Sequence, residues 1–507
     1  MTTILAIDVG TSAVKAALVH DGVPGDGAEV HHPLSTPRPG WAEQHPDDWW
    51  SATIGAVRDV LGCDGSASGS SPSAVPPIDA VAVTGQMQDL IPVDHHGRPT
   101  RPAILYSDTR ATTEHHELVD LLGDPWAEAI GARPDATNVV AKWRWVLRHE
   151  PGVAARTTHV LFGGHSAIVQ RLTGVVACDP TTAATTGAYS LASASWWDPA
   201  VREFNGCSLP DVVAPTAVCG RLTEHPAADL GLRSGIPVVH ANGDAVATTV
   251  GLLGRDLDRP YAYLGTSGWV AVATTGPRVG SGLIVLPGLD DRHWVAAAPM
   301  PTAGAAIDWA REQLFGGIDA QQFATLAGDR CAIADGVVFV PHIDGTRTPY
   351  TAPDATGVLM GVRRSTDQSV LAAAVHEGVA HAVRQLLEVV APGSHELAVC
   401  GGAARSDLLR QVIADVTGAR VVQLGDDHAS VAGVAVAATL ALDGEVSGVP
   451  PLGRSLSPRA DRSELHRRAA ASFDEVLPRM ASILTSLVEI RSVADRREDG
   501  PAPLPAT

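Results

Sequence analysis

The sequence predicts an α/β protein of two duplicated lobes with a ligand cleft between them, and two observations carry that expectation. The first is a repeated pattern. Leu5-Ala6-Ile7-Asp8-Val9-Gly10-Thr11-Ser12 runs on through Val14 to Val19, and Ala262-Tyr263-Leu264-Gly265-Thr266-Ser267-Gly268 runs on through Trp269 to Ala273. Each is an apolar run, a Gly-Thr-Ser turn and a second apolar run, the signature of a hairpin. The second observation is length. A chain of 507 residues exceeds what one hydrophobic core organises and divides naturally into two domains. Glycine lets the backbone approach a phosphate closely, while threonine and serine add hydroxyl and N–H donors. Two such tips at matched positions predict a nucleotide gripped from both lobes.

The remaining elements alternate between strand and helix, as layered α/β architectures do. Trp49–Leu61 reads as a helix with Asp47 as its N-cap. Residues 62–77, rich in Gly, Ser and Pro, read as a surface loop. Ile78–Val83 is a strand ending in Thr84-Gly85-Gln86-Met87-Gln88-Asp89, and Pro102–Tyr106 is another, ending in Ser107-Asp108-Thr109-Arg110. Pro237–His240 ends in Ala241-Asn242-Gly243-Asp244. Polar clusters at the carboxyl ends of strands are where open α/β sheets place ligands. The expected division is residues 1–241 for the first lobe, 242–495 for the second and 496–507 for a disordered tail. Ser463–Val493 reads as a long helix.

Composition removes several classes of function. The formal charge of −19 argues against nucleic acid and anionic membrane surfaces as partners. Hydrophobic residues at 45% supply ample core material, yet the longest apolar run, near Val431–Leu442, is too short to span a bilayer. Lysine occurs only at positions 15 and 142, and neither follows a glycine, so no P-loop is present. The six cysteines form no C-x-x-C pair, and the twenty histidines show no metal spacing. Buried free thiols and the absence of a targeting segment lead to the expectation of a cytoplasmic protein.

These pieces assemble into phosphoryl-transfer chemistry, which needs a metal site, phosphate donors, a base and exclusion of water. Asp8 precedes the first turn, where a carboxylate can hold Mg²⁺ directly or through water. Gly10, Thr11 and Ser12 would cradle one phosphate region of ATP, and Gly265, Thr266 and Ser267 the other. Asp244 follows a strand and a glycine and opens a helix, which makes it the candidate general base; helix capping is the competing explanation. Val399-Cys400-Gly401-Gly402-Ala403 is a strand–turn unit whose glycines can lie flat against adenine or ribose.

With those residues in order, the chain resembles the FGGY family of carbohydrate kinases, within the actin-like ATPase (ribonuclease H-like) fold. Trp41 to Trp50 resembles the segment before the family's first helix. Lys142-Trp143-Arg144-Trp145 through His149 matches the core of the first family signature, with Val139 in place of Pro, Ser or Thr. Gly357 to Val362 through Glu377-Gly378 matches the second, with Val370 replacing a polar residue. Asp179 through Gly187 resembles the segment after the family's Thr-Asp. The resemblance implies Asp8 as the metal-associated aspartate, Asp244 as the catalytic base, Gly401, Gly402 and Ala403 in the adenosine pocket, and the sugar on the first lobe. It also allows a homodimer, since dimers are common among similar kinases.

Gly85-Gln86-Met87-Gln88 is similar to the Gly-Gln-Met-His of xylulokinases, with Gln88 in place of histidine. Ala245 follows the base where those enzymes carry Asn. The implied acceptor is a ketopentose, first of all D-xylulose, with ribulose, a gluconate-like sugar acid or a polyol as alternatives. Gln86, Met87, Gln88, Asp89, Asp108 and Asp244 are the candidate substrate contacts. Asp108 and Arg110 could instead pair with each other. Of Trp49 and Trp50, one is expected in the core and the other partly exposed. Lys142 is expected in a salt bridge or as a packed stem, with contact to a sugar acid as the lesser alternative. A rival reading, a chaperone-like ATPase or sugar-responsive regulator, would need the hairpins but neither Asp244 nor the Gln86–Asp89 segment.

Overall fold

A computed structural model describes residues 2–62, 77–254, 258–278, 282–290, 292–352, 355–425, 428–446 and 452–498. The first Gly-Thr-Ser segment is a hairpin: Thr3–Val9 pairs antiparallel with Ala13–His20, which pairs with Val23–His31. On its other edge Thr3–Val9 runs parallel to Ala80–Gly85, and that strand runs parallel to Pro237–His240. Val218–Arg221 closes the six-stranded sheet. The second Gly-Thr-Ser segment repeats the scheme. Tyr261–Leu264 pairs antiparallel with Gly268–Thr274, then Trp294–Met300 and Ile284–Pro287 follow. Glu396–Cys400 and Arg420–Leu424 add in parallel on the far side. Central strands are buried on both faces, so they read as continuous apolar runs such as Ala80-Val-Ala-Val83. The expected two-lobed α/β fold is the one observed.

Two helices cross between the sheets, each packing on the lobe it did not come from. Asp244–Leu253 follows a first-sheet strand, yet its Val246, Val250, Leu252 and Leu253 pack with Tyr261, Ala271, Leu286 and Ala398 of the second sheet. Ala429–Ala441 follows a second-sheet strand, yet its Val431, Val434, Ala435 and Ala438 pack with Ile4, Ala6, Ala17 and Val239 of the first. This explains the Ala-rich run seen in the sequence, because a helix enclosed on most sides has no polar face. The two helices touch at Gly251 and Gly433. A Cβ on Gly433 would lie 1.8 Å from the Ala247 carbonyl oxygen, and one on Gly251 would lie 1.7 Å from that of Ala429.

Local differences from the sequence reading have simple causes. The first helix starts at Pro46 and is capped by His45, whose ring accepts from the Asp47 N–H, rather than being capped by Asp47. Proline is favoured in a first helical turn because its missing N–H is not needed there. The long C-terminal helix spans Ala460–Glu498 and includes the first residues of the expected tail; 499–507 lie outside the described residues, as does 63–76 of the expected loop. Among the described residues no helix is long and apolar enough to cross a membrane.

Candidate active site between the lobes

Each Gly-Thr-Ser tip is braced from behind. In the first, the Gly10 N–H donates to Ala13 O (3.0 Å), Gln44 Nε2 donates to Thr11 O (2.7 Å), and His32 Nε2 lies 3.0 Å from Gly10 O. In the second, the amino end of helix Gly304–Leu314 closes over the turn: Gly304 N donates to Gly265 O and Ala303 N to Thr266 O. These bonds take the backbone carbonyls and leave Thr266 and Ser267 exposed. Gly401 lies against the same strand end. Its φ is 92°, and a Cβ there would fall 2.6 Å from Leu264 O, so only glycine is admitted. Gly265, Thr266, Ser267, Gly401, Gly402 and Ala403 therefore form one neighbourhood, joined by Gly304, which carried no motif in the sequence.

The acidic residues converge at the junction of the lobes. Asp8 Oδ2 accepts from Ser430 Oγ at 2.6 Å, a bond from the first sheet to the crossing helix of the second half. Among the described residues Asp8 Oδ1, which is buried, has no hydrogen-bond partner, and burial raises the carboxyl's pKa. Asp244 is the first residue of its helix, with Gly243 as N-cap, so capping does not account for it. Burial, reinforced by the Asp8, Asp89 and Asp179 carboxylates, pushes its pKa to about 8. Like charges this close favour a bound cation or proton.

The Gln86–Asp89 loop sits directly beside the Asp244 turn. Met87 packs on Gly243, where a Cβ would fall 2.1 Å from its Sδ. Gln86 Nε2 donates to Gln44 Oε1, while Gln86 Oε1 is buried without a partner. Gln88 adopts a left-handed backbone (φ 65°), held by Lys142 Nζ donating to Gln88 O (2.9 Å) and Leu105 O (2.8 Å). Its side chain donates to Thr137 Oγ1. Asp89 Oδ1 accepts from Tyr106 N, and Oδ2 is buried without a partner. Burial pushes Asp89 and Lys142 toward their neutral forms, and their mutual attraction opposes it.

Three expectations change. Lys142 is neither a surface ion pair nor a mere apolar stem; its ammonium stitches two ligand-side loops together. Asp108 is spent internally, its oxygens accepting from Ala42 N (2.6 Å), Arg110 N (2.9 Å) and the Arg110 guanidinium (2.7 Å). Arg110 also binds Glu43 and stacks 3.7 Å from the Trp41 ring centre. The alternative pairing of Asp108 with Arg110 is the one found. Trp49 and Trp50 are both buried, the first donating to Gln44 Oε1 and the second lying under Arg171.

Sequence reasoning missed a buried polar layer beneath the Asp244 turn. Asp179 accepts from His165 Nε2 (3.0 Å), Thr182 N (3.0 Å) and Gly243 N (3.3 Å). His240 Nδ1 lies 3.8 Å from Asp179 Oδ1, while its Nε2 meets Ser166 Oγ (2.9 Å). His165, Asp179 and His240 bring their donor atoms within 4.8 Å of one another, as do Cys331, Glu377 and His466. Neither cluster follows a local spacing, so neither could be read from the chain.

Two glycine-tipped hairpins, one on each lobe, and a buried aspartate beside a polar loop supply the parts that a two-lobed phosphotransferase needs. The comparisons refine that class. The N-terminal domain model of the FGGY family of carbohydrate kinases matches residues 3–251 and the C-terminal domain model matches 261–442, and the chain belongs to that family. It is 30% identical over 500 residues to a xylulose kinase of Escherichia coli, covering 94% of this chain and 100% of the relative. It is 29% identical over 454 residues to a glycerol kinase of Thermococcus gammatolerans, covering 87% and 89%. The crystal structure of xylulose kinase from Rhodospirillum rubrum matches with a TM-score of 0.87 at 25% identity, over 95% of this chain and 100% of that one. The protein is a carbohydrate kinase, and ATP is the phosphate donor of its family.

Proposed function

We propose that this kinase transfers the γ-phosphoryl group of ATP to a hydroxyl of a neutral ketopentose, D-xylulose, giving D-xylulose 5-phosphate. The observation that carries the reading is the Gln86–Asp89 loop packed against Asp244 while the neighbouring cations are already engaged. Lys142 donates to two carbonyls, and Arg110 is closed by Asp108 and Glu43. A sugar acid would need an open cation there, whereas hydroxyls suit the unpartnered Gln86 Oε1 and Asp89 Oδ2. The relatives named xylulose kinase and the Gln86-Met87 pair support the same choice.

In this reading Asp244 accepts the proton of the attacking hydroxyl. Gln86, Met87, Gln88 and Asp89 hold the sugar, and the two Gly-Thr-Ser tips hold the phosphates. Gly401, Gly402 and Ala403 lie against the adenosine. The orphaned Oδ1 of Asp8 fits a Mg²⁺ ion or its bound water, and that ion would neutralise phosphate charge. Apposition of the lobes excludes water.

Gln88 favours a second acceptor. Its amide is held by Thr137, and Ala245 offers no hydrogen bond, so the pocket reads fewer hydroxyls than a xylulokinase with His and Asn at these positions. Ribulose or a short polyol is the alternative. Coupled ADP release with Mg-ATP across D-xylulose, D- and L-ribulose, L-xylulose, gluconate, glycerol, erythritol and xylitol decides. Selective turnover of D-xylulose is expected, and gluconate is expected to be silent. Preferred turnover of gluconate would overturn the neutral-acceptor argument.

A further inference from the structure

The residue two positions before the base is tied to the opposite lobe. Asn242 is 1% exposed, and its carbonyl accepts from Thr84 Oγ1 at 2.6 Å. Its Nδ2 donates to Thr181 Oγ1 (2.8 Å) and to Gly288 O (2.9 Å). Thr181 Oγ1 in turn donates to Pro287 O at 2.8 Å. Pro287 ends a strand of the second sheet and Gly288 follows it, whereas Asn242 and Thr181 belong to the first half of the chain. The Gly288 carbonyl is held in a turn whose N–H donates to His293 O. On the next peptide, Gly243 N donates to Asp179. The stretch 241–243 is thus gripped by its own lobe through Thr84 and Asp179, and by the other lobe through the Asn242 amide.

We propose that Asn242 is a positioning residue that makes the placement of Asp244 depend on the second lobe's Pro287–Gly288 turn. Both hydrogens of its amide are used, one toward each lobe. A buried amide that loses one acceptor leaves an unsatisfied donor, which is costly, so the pair of bonds favours the arrangement in which the turn abuts the base segment. Asp244 begins one peptide beyond, and small displacements of a catalytic group weigh heavily on turnover. Thr181 completes the link, since its hydroxyl accepts from Asn242 while donating to the same turn. The proposal rests on Asp244 being the base, and it assigns Asn242 no contact with substrate.

The test compares Asn242→Ala, Asn242→Asp and Thr181→Val with Asp244→Asn, using the full-length protein. The Asp variant keeps the size of the side chain but turns a donor into a carboxylate facing Gly288 O. The expected kcat is about 10-fold lower for Asn242→Ala and on the order of 100-fold lower for Asn242→Asp, with KM for ATP within about twofold. A space-filling role predicts the reverse order, with Asp tolerated better than Ala, and that result would overturn the proposal. Amide hydrogen exchange supplies a readout that needs no substrate. In Asn242→Ala, exchange should rise both at 241–243, which follows a strand of the first sheet, and at the Pro287–Gly288 turn, which ends a strand of the second. A rise confined to the first segment refutes the cross-lobe link. Full activity in Asp244→Asn would instead remove the base assignment while leaving the exchange result to stand or fall alone.

Discussion

The crossing of the two inter-lobe helices invites the simplest quantitative test. Replacing Gly433 with alanine puts a methyl carbon 1.8 Å from the Ala247 carbonyl oxygen and 2.7 Å from its carbon. Ordinary contact begins near 3.4 Å, and both obstructing atoms are backbone, so no side chain can swing aside. The helices must separate by roughly 1.5 Å, or tilt, against close packing on both sheets. Overpacking of this kind costs about 1–3 kcal/mol, which for a protein of this size lowers Tm by about 1–3 °C. The damage also reaches the site. Ser430, whose hydroxyl is bonded to Asp8, lies one turn before Gly433 on the same helix. Turnover should therefore fall along with Tm. The control is Gly276→Ala, where a Cβ meets nothing within 4 Å and stability should change by less than about 0.5 kcal/mol. Differential scanning calorimetry and coupled ADP release on the three proteins suffice. Unchanged Tm and kcat in Gly433→Ala would refute the claim that the lobes are held in register at this crossing.

Two further predictions concern carboxylates. Asp244→Asn should lower kcat by about 10²–10⁴-fold while ATP still binds by calorimetry, as expected for loss of a general base. The same variant has a stability signature. Asp244 is pushed up to about 8 in the folded protein from an ordinary value of 3.8, so the folded state holds its proton more tightly than the unfolded chain does. The stabilisation is present at acid pH and is lost as pH rises from about 4 to about 8. Without ligand, Asp244→Asn should melt higher than the parent protein at pH 8, and the gap should close near pH 4; a lower melting point at pH 8 contradicts the burial argument. Arg110→Met breaks a buried pair with Asp108 and leaves a carboxylate uncompensated, which costs about 3–5 kcal/mol. Urea unfolding measures that loss, and a change in KM for the sugar with no loss of stability would restore Asp108 as a substrate contact.

How much of this was legible in the chain depends on whether a feature is local. The two Gly-Thr-Ser tips, the Asp244 turn and the Gly401–Gly402 turn each lie within a few residues of a strand end, so sequence pattern alone located them. The Trp pair failed because two adjacent helical residues can both be buried when the helix is enclosed on more than one side, and α-helical spacing alone does not report that. Asp108 was ambiguous for a related reason. A carboxylate two residues before an arginine reads equally as a ligand contact or a pair, and the deciding partners, Glu43 and the Trp41 ring, are distant in sequence. Lys142 was weighed as an ion pair, yet its work is to hold the left-handed turn at Gln88, a backbone state with no signature in a glutamine.

The buried polar layer was invisible for a stronger reason. His165 lies on one helix, Asp179 caps a second short helix that carries Thr181, and His240 and Asn242 lie at the end of a strand, and each alone passes for an ordinary core or capping residue. They become interpretable only together, through the hydrogen bonds that join them. Asp179 takes three donors, one from the residue before Asp244, and Asn242 gives one of its two amide hydrogens to the opposite lobe. Asp8 does the same from the other side through Ser430. Both carboxylates assigned to chemistry are thus flanked by hydrogen bonds that cross from one half of the chain to the other. The duplicated fold thereby ties Asp8 and Asp244, the groups proposed for metal and base, to the same relative placement of its lobes, and a change at either crossing should be felt at both.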